Sequence, residues 1–355
     1  MHLLSLTPDH DDIQSMSQHK IQPFSPADWQ QLQAQSVRNP QQLLQRLQLP
    51  MNLLDGAISA DQAFSLRIPE PYLQRIEPGN PDDPLLLQVL PRNAELQKIS
   101  GFGCDPVGDS ASRHLPGLLH KYHGRVLLIT TGACGIHCRY CFRRHYPYSD
   151  DRLNEGHWQG VLDYLHSDTQ ISEVILSGGD PLTLSDHKLQ QQIQALEQIP
   201  HLQRLRIHSR QPVVLPQRIT PALIEMLVQT RLQTTLVLHV NHANELDAEV
   251  ELAMRRLRQQ GITLLNQSVL LRDVNDNVDI LCTLSERLFA CGILPYYLHQ
   301  LDRVAGAAHF EVTEQQALTL MKALRSRLPG YLVPRLVSEQ AGAAYKLPVE
   351  TTTQV

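Results

Sequence analysis

Residues 125–148, RVLLITTGACGIHCRYCFRRHYPY, join a strand pattern to a group of cysteines. The run that begins at Arg125 is apolar and β-branched, which predicts a buried strand. Cys134, Cys138 and Cys141 follow this run directly, in the spacing CxxxCxxC. The stretch therefore predicts a strand that brings three thiols to one end of a sheet.

From residue 125 onwards, short apolar runs alternate with longer segments of helical periodicity, a pattern typical of a parallel sheet with crossover helices. Further strands are predicted to begin at Glu173, Arg204, Thr235, Ile262 and Ile293. Six successive βα units fit either an incomplete α/β barrel or a doubly wound sheet. Polar residues or glycine follow each strand, which favours the barrel, because the ligand site of such a barrel lies at the carboxyl ends of its strands.

Three regions are predicted along the chain. Residues 1–110 are rich in Gln and Pro and are expected to form a mainly helical N-terminal subdomain. Residues 111–330 are expected to form the partial barrel, and residues 331–355 a short C-terminal segment.

The composition is that of a globular protein, with 355 residues, of which 42% are hydrophobic and 19% are charged. Lys and Arg number 31 against 36 Asp and Glu, so the formal net charge is -5 and gives no general attraction to nucleic acid or anionic membranes. No apolar run approaches the roughly 18 residues of a transmembrane helix, and the N-terminal apolar stretch is too short for a signal peptide. We therefore expect a cytoplasmic protein with no nucleic-acid or membrane partner.

The cysteines indicate a metal or redox cofactor. There are six, and three of them lie between residues 134 and 141, which is unlike a disulfide framework. Three thiolates can hold one iron-sulfur cluster and leave one iron without a protein ligand. A structural zinc site is the alternative, with His137 or His145 as the fourth ligand. The position of the thiols at the mouth of the first barrel strand favours the cluster.

Three further motifs add candidate ligands. Residues 177–180, SGGD, end the second strand, and glycines there let a ligand approach the backbone closely. Basic residues flank the cysteines at positions 139 and 143–145, and a guanidinium at the rim of a cavity can bind an anion. Lys346 follows the small residues 341–344, and a lysine can form a Schiff base with an aldehyde cofactor.

Seven blocks taken together resemble the lysine 2,3-aminomutase family of radical S-adenosylmethionine enzymes. They are RVLLITTGACGIHCRYCFRRHYPY, ILSGGDPL, RQPVVLPQRIT, LHVNHANE, NQSVLLRDVND, PYYLHQLDRVAGAAHF and GAAYK, collinear from about residue 60 to residue 346. The resemblance implies an α/β fold with an incomplete (βα)6 radical-SAM barrel. It also implies that a 4Fe-4S cluster, S-adenosyl-L-methionine and pyridoxal 5'-phosphate serve to move the α-amino group of L-lysine to its β-carbon.

The resemblance assigns roles residue by residue. Cys134, Cys138 and Cys141 match the cluster ligands, and Lys346 matches the lysine that binds pyridoxal phosphate. Residues predicted to lie around the phosphate of that cofactor are Lys121, Tyr122 and Arg125. Residues predicted to face S-adenosylmethionine are Gly178, Gly179, Asp180 and His239.

Three residues match the substrate site of the family. Arg143 matches the arginine that pairs with the substrate carboxylate, and Asp302 matches an aspartate that receives the ε-ammonium of lysine. Glu339 stands where the family has a second aspartate for that ammonium. Two acids at one end of the pocket favour lysine over glutamate as the substrate.

The chain also departs from the family pattern. Asp180 replaces the usual glutamate, and Gly-Ala-Ala-Tyr replaces a run of glycines before Lys346. The sequence ends nine residues after Lys346, without the extension that carries zinc-binding cysteines in the fermentative enzymes. Cys282 and Cys291 are expected to be core residues of a helix.

The shorter form most resembles the elongation factor P (R)-β-lysylation protein B subgroup. That resemblance implies a product, (R)-β-lysine, that a partner ligase attaches to elongation factor P. It also implies an electron donor such as flavodoxin or ferredoxin. The alternatives are an aminomutase that acts on arginine or glutamate, and a non-enzymatic zinc-binding scaffold.

Overall fold

The computed structural model describes residues 26–151 and 153–350. The N-terminal part is helical, as predicted, with α1 Pro26–Ala34, α2 Pro40–Arg46, α3 Leu54–Ala63, α4 Glu70–Leu73 and α5 Pro84–Leu87. Residues 1–25 of the predicted subdomain and 351–355 of the predicted C-terminal segment lie outside the described residues.

The rest of the chain alternates strands and helices. The strands are β1 Arg113–Leu115, β2 Leu118–Tyr122, β3 Arg125–Thr131, β4 Glu173–Gly178, β5 Arg204–Ser209, β6 Gln233–Leu238, β7 Thr263–Val269, β8 Leu294–His299, β9 Arg335–Ser338 and β10 Leu347–Pro348. The helices are α6 Glu155–Ser167, α7 Asp186–Glu197, α8 Gln211–Val214, α9 Pro221–Gln229, α10 Ala248–Gln259, α11 Val278–Ala290 and α12 Glu314–Arg327.

Local chemistry explains where the main helices begin. Thr220 caps α9, because its hydroxyl accepts a hydrogen bond from the amide of Leu223, and Pro221 occupies the first helical position. Asp247 caps α10 in the same way. Cys282 lies within α11 and is half-buried against the core, and Cys291 directly follows the helix and is buried in the core.

All ten strands form one sheet in the order of the sequence. The strands from β3 to β9 run parallel, and the hairpin partners β1, β2 and β10 are antiparallel. A doubly wound sheet would reverse its strand order at a switch point, so the sequential order excludes that alternative and fits the barrel type of connection.

The six predicted strands are confirmed, with β6 beginning at Gln233 instead of Thr235, β7 at Thr263 instead of Ile262, and β8 at Leu294 instead of Ile293. Each of these six strands is followed by a helix, which gives the six βα units that the sequence predicts, and β9 adds a further parallel strand with no helix after it. Its four residues follow Pro334 and give too short an apolar run to be recognised from the sequence. Through β9 and β10 the C-terminal segment joins the sheet.

The core has two main parts. One lies between the parallel strands and helices α6, α7, α9, α10 and α11. The other lies among the N-terminal helices around Trp29 and Tyr72, and it includes Val214 and Leu215 from the segment after β5. The division of the chain at residues 110 and 330 stays a prediction. No helix within the described ranges has the length and apolar character needed to cross a membrane.

Candidate active site

One cavity of about 1020 Å³ lies inside the curve of the sheet. Strands β2 to β5 and β7 to β10 all contribute lining residues, and His239 contributes directly after β6. Every residue to which the family resemblance assigns a role lines this cavity, whereas His137, Arg139, Arg144 and His145 beside the cysteines do not. The three cysteines, the lysine near the C-terminus and the predicted substrate residues therefore share one space.

The cysteine loop follows β3 and packs directly on the end of β4. The amide of Gly179 donates to the carbonyl of Thr131 at 2.7 Å, and the amide of Asp180 donates to the carbonyl of Ala133 at 2.7 Å. A Cβ atom on Gly179 would lie only 2.4 Å from the carbonyl oxygen of Ala133. The glycines are thus required by the close approach of two protein segments, a reason that the sequence did not reveal.

The cysteines are in low-dielectric surroundings. Burial raises the pKa of the Cys134 thiol well above its usual range, and burial together with Cys138 raises the pKa of Cys141 to about 11. Within residues 26–151 and 153–350, no three His, Cys, Asp or Glu side chains are arranged around a position for a single metal ion.

The basic residues beside the cysteines have different roles. Arg139 is fully buried, and its guanidinium donates to both oxygens of Glu95 at 2.8 and 2.7 Å. Arg144 donates to the same carboxylate at 2.8 Å. Arg143 alone of the three arginines lines the cavity. Two of these residues therefore anchor the cysteine loop, and one is available to a ligand.

Arg143 is held in the cavity wall by two partners. Its Nε donates to Asp109 Oδ2 at 2.7 Å, and its terminal nitrogen donates to Ser177 Oγ at 3.2 Å. Asp109 also pairs with Lys121 at 2.6 Å. Burial opposes the charge on Asp109, but Arg143 and Lys121 keep the pKa of its carboxyl below the usual value. Asp109 belongs to no motif, so no role for it could be predicted from the sequence.

Glu339 extends the series of ion pairs that begins with Arg143, Asp109 and Lys121. It pairs with Lys121 at 2.9 Å and with the ammonium of Lys346. Burial favours protonation of Glu339, but the two ammonium groups outweigh it and lower the pKa to about 2. The carboxylate therefore remains ionised and already binds two primary ammonium groups.

Asp302 is the second acid of this region. Burial, and after it repulsion from Glu339, raise its pKa to about 7. No hydrogen bond from another described residue reaches its carboxylate. The two acids predicted to receive an ammonium thus differ in charge near neutral pH, although both line the cavity.

The predicted phosphate ligands also differ from one another. The guanidinium of Arg125 lies over the ring of Tyr122, 4.8 Å from its centroid. Lys121 is turned instead toward Asp109 and Glu339. Arg125 and Tyr122 therefore face the cavity as a pair, whereas the charge of Lys121 is balanced by protein carboxylates.

The residues predicted to face S-adenosylmethionine lie near the cysteines. Both oxygens of Asp180 accept hydrogen bonds from the protein, from Ser209 and the amides of Leu182, Arg210 and Gln211. His239 bonds to the hydroxyl of Tyr140 at 2.9 Å. Burial, and then Arg210, lower the pKa of His239 to about 3, so its imidazole is neutral.

Arg210 is another residue of the site for which no role was predicted from the sequence. This arginine directly follows β5 and is only 7% exposed, at the end of the cavity that contains the cysteines. Its position after a barrel strand was the signal available, since that is where ligand-contacting residues collect.

The chain resembles several known enzymes. It is 49% identical over 325 residues to an L-lysine 2,3-aminomutase of Escherichia coli, covering 91% of this chain and 94% of that protein. An enzyme of the same name from Haemophilus influenzae is 48% identical over 318 residues, covering 90% and 94%. That of Clostridium subterminale is 37% identical over 330 residues, covering 92% and 79%.

A solved radical SAM methyltransferase from Sphaerobacter thermophilus aligns with a TM-score of 0.47 and 14% identity, over 62% of this chain and 68% of that one. The chain matches no protein-family model.

Proposed function

The chain belongs to the L-lysine 2,3-aminomutase family of isomerases, and we propose that it converts L-lysine to (R)-β-lysine with a 4Fe-4S cluster, S-adenosyl-L-methionine and pyridoxal 5'-phosphate. The observation that carries this proposal is that one cavity is shared by the residues predicted to bind the cluster, the cofactors and the substrate. The cavity brings three cysteines, a lysine and two acids together from distant parts of the sequence.

The donor set at one end of the cavity fits an open-site cluster. Three thiols can hold three irons, and no fourth protein ligand is required. One ring nitrogen of His137 lies 2.7 Å from the carbonyl of Ser65, and one of His145 lies 3.1 Å from that of Ala305. Neither histidine is among the residues that line the cavity with the three cysteines, which supports the cluster over a zinc site completed by histidine.

The other end of the cavity fits pyridoxal phosphate. Lys346 would bind its aldehyde carbon, and Arg125 with Tyr122 would hold its phosphate, for which a guanidinium is well suited. When bound, the cluster with S-adenosylmethionine supplies the radical that removes hydrogen, and pyridoxal phosphate carries the amino group as it moves. The protein itself binds, orients and keeps water out.

Four residues position the substrate in this proposal. Arg143, held by Asp109, would pair with the α-carboxylate. Glu339 and Asp302 would receive the ε-ammonium, and the contacts of Glu339 with Lys121 and Lys346 support this, since the carboxylate already accepts primary ammonium groups. A glutamate substrate would place a third carboxylate beside these two, at a cost in repulsion.

The biological role follows from the product. We propose that (R)-β-lysine is passed to a ligase that attaches it to elongation factor P, and that flavodoxin or ferredoxin reduces the cluster. The proposed location is the cytoplasm. These assignments rest on the subgroup resemblance and are tested by reconstitution with the ligase and elongation factor P.

The direct test is anaerobic reconstitution with iron and sulfide, followed by incubation with pyridoxal phosphate, dithionite, S-adenosylmethionine and L-lysine. Chromatographic appearance of β-lysine is the expected result. L-arginine and L-glutamate in parallel tubes test the alternative substrates. Zinc without acid-labile sulfide would overturn the proposal and support the scaffold.

Matched variants separate the parts of the site. Cys141→Ser is expected to lose iron and all turnover. Glu339→Gln is expected to keep iron and pyridoxal phosphate but to raise the KM for lysine, because one acceptor of the ε-ammonium loses its charge. Lysine turnover unchanged in Glu339→Gln and Asp302→Asn would instead favour another substrate.

A further inference from the structure

Arg210 places a buried positive charge against one of the cysteines. Its terminal nitrogen Nη1 lies 2.7 Å from Sγ of Cys138. The amide of Arg210 donates to Asp180 Oδ2 at 2.8 Å, so the backbone of this arginine is fixed between the ends of β4 and β5. The contact with sulfur therefore arises from the framework of the sheet.

A buried network holds the guanidinium in this orientation. Nη2 donates to Glu245 Oε2 and to Gln88 Oε1, each at 2.7 Å, and Nη1 also donates to the hydroxyl of Tyr140 at 2.7 Å. Glu245 is fully buried, and its other oxygen accepts from the amide of Asn241 at 2.8 Å. A guanidinium fixed on this side cannot turn away from the cysteine without breaking several buried hydrogen bonds.

One donor of Arg210 is left over. Nε is buried and has no hydrogen-bond partner among the described residues. The contact with the cysteine loop is made by Nη1 instead, and the sulfur atoms of a cluster held there are acceptors for that donor, since Arg210 lines the same cavity as the three cysteines.

We propose that Arg210 is a positioning residue that raises the reduction potential of the cluster by hydrogen bonding to the sulfur of Cys138. The inference rests on the proposed function, because it requires the cluster. Hydrogen bonds to cluster sulfurs and nearby charge are among the factors that set such potentials. A cationic donor stabilises the reduced cluster more than the oxidised one, because the reduced cluster carries one more negative charge.

The electron balance is simple. The cluster gains one electron from a one-electron donor, and no bond in the protein forms or breaks. Arg210 remains protonated throughout, since the guanidinium pKa is above about 12 in proteins. The arginine changes the free energy of the added electron and takes no part in proton transfer.

The test is a redox titration of the reconstituted full chain, followed by electron paramagnetic resonance. Arg210→Met is paired with Glu245→Gln in one double variant, so that neither charge is left buried alone. We expect the equilibrium constant for one-electron reduction to fall at least about tenfold, which is a shift of about 59 mV to more negative potential.

Two single variants test the sign of the effect. Arg210→Lys keeps a positive charge but cannot reproduce the forked contacts, so its potential is expected between those of the parent and the double variant. Glu245→Gln alone removes a neighbouring negative charge and is expected to raise the potential. Arg218→Lys is the matched control, because Arg218 is also buried but bonds to the carbonyl of Leu182 and to Asp186.

The possible failures are distinguishable. Iron and acid-labile sulfide in the parent, with β-lysine formed but the same potential in parent and double variant, would overturn this inference and leave the proposed function standing. No cluster in the parent would overturn both. If the double variant does not hold a cluster, the potential of Arg210→Lys decides, and a value equal to that of the parent overturns the inference.

Discussion

Replacing Asp302 by asparagine is expected to stabilise the ligand-free protein at neutral and alkaline pH. The pKa of Asp302 is raised from 3.8 to about 7, by burial first and by Glu339 second. A carboxyl group whose pKa is raised by folding contributes stability fully below the unfolded pKa and loses it as pH rises through the folded pKa. Asparagine has no charge to bury, so it avoids this loss.

The magnitude follows from the size of the pKa difference. A difference of about three units at about 1.4 kcal/mol per unit sets an upper limit of about 4 kcal/mol above pH 7. Asp302 lines an open cavity and is partly exposed, and water there screens the repulsion. We therefore expect Asp302→Asn to gain about 1–2 kcal/mol over the parent between about pH 5 and pH 8.

Urea denaturation of cofactor-free protein at about pH 5, 6, 7 and 8 measures this change. Glu339→Gln is the control, because it is expected to lower the stability of the protein, whereas Asp302→Asn is expected to raise it. Its carboxyl has a pKa lowered to about 2, so the stability it contributes is present above the unfolded value and is lost only in strong acid. A difference between Asp302→Asn and the parent that stays constant with pH would refute the reasoning about Asp302.

Three other changes test separate parts of the site. Lys346→Ala is expected to abolish the visible absorption of bound pyridoxal phosphate while iron content stays normal; an unchanged spectrum would remove Lys346 from its proposed role. Asp109→Asn removes the charged partner of Arg143 and is expected to raise the KM for lysine about tenfold or more, with cluster content as control. Gly179→Ala is expected to destabilise the fold by about 1–3 kcal/mol, because its Cβ would meet the carbonyl of Ala133. An unaltered urea midpoint would count against that close approach.

Much of the site could be predicted because it follows from local signals. Strand patterns placed the cysteine loop and residues 177–180 at the same edge of the sheet, and the structure has both there. The pairing of Lys121 with acids was not predictable. Lys121 pairs with Asp109, which lies before β2, and with Glu339, which lies after β9. The two acids reach Lys121 only when the sheet curves.

The chain by itself determined the alternation of strands and helices, the three thiols after β3 and the motifs that indicate the cofactors. These features depend on periodicity and on residue types a few positions apart, so they can be read without coordinates. Only the tertiary structure decided that Arg143 faces the cavity while Arg139 and Arg144 face Glu95. It also decided that Arg210 touches a cysteine 72 residues away. Charge state and orientation depend on burial and on partners distant in sequence, and those are fixed only when the chain has packed.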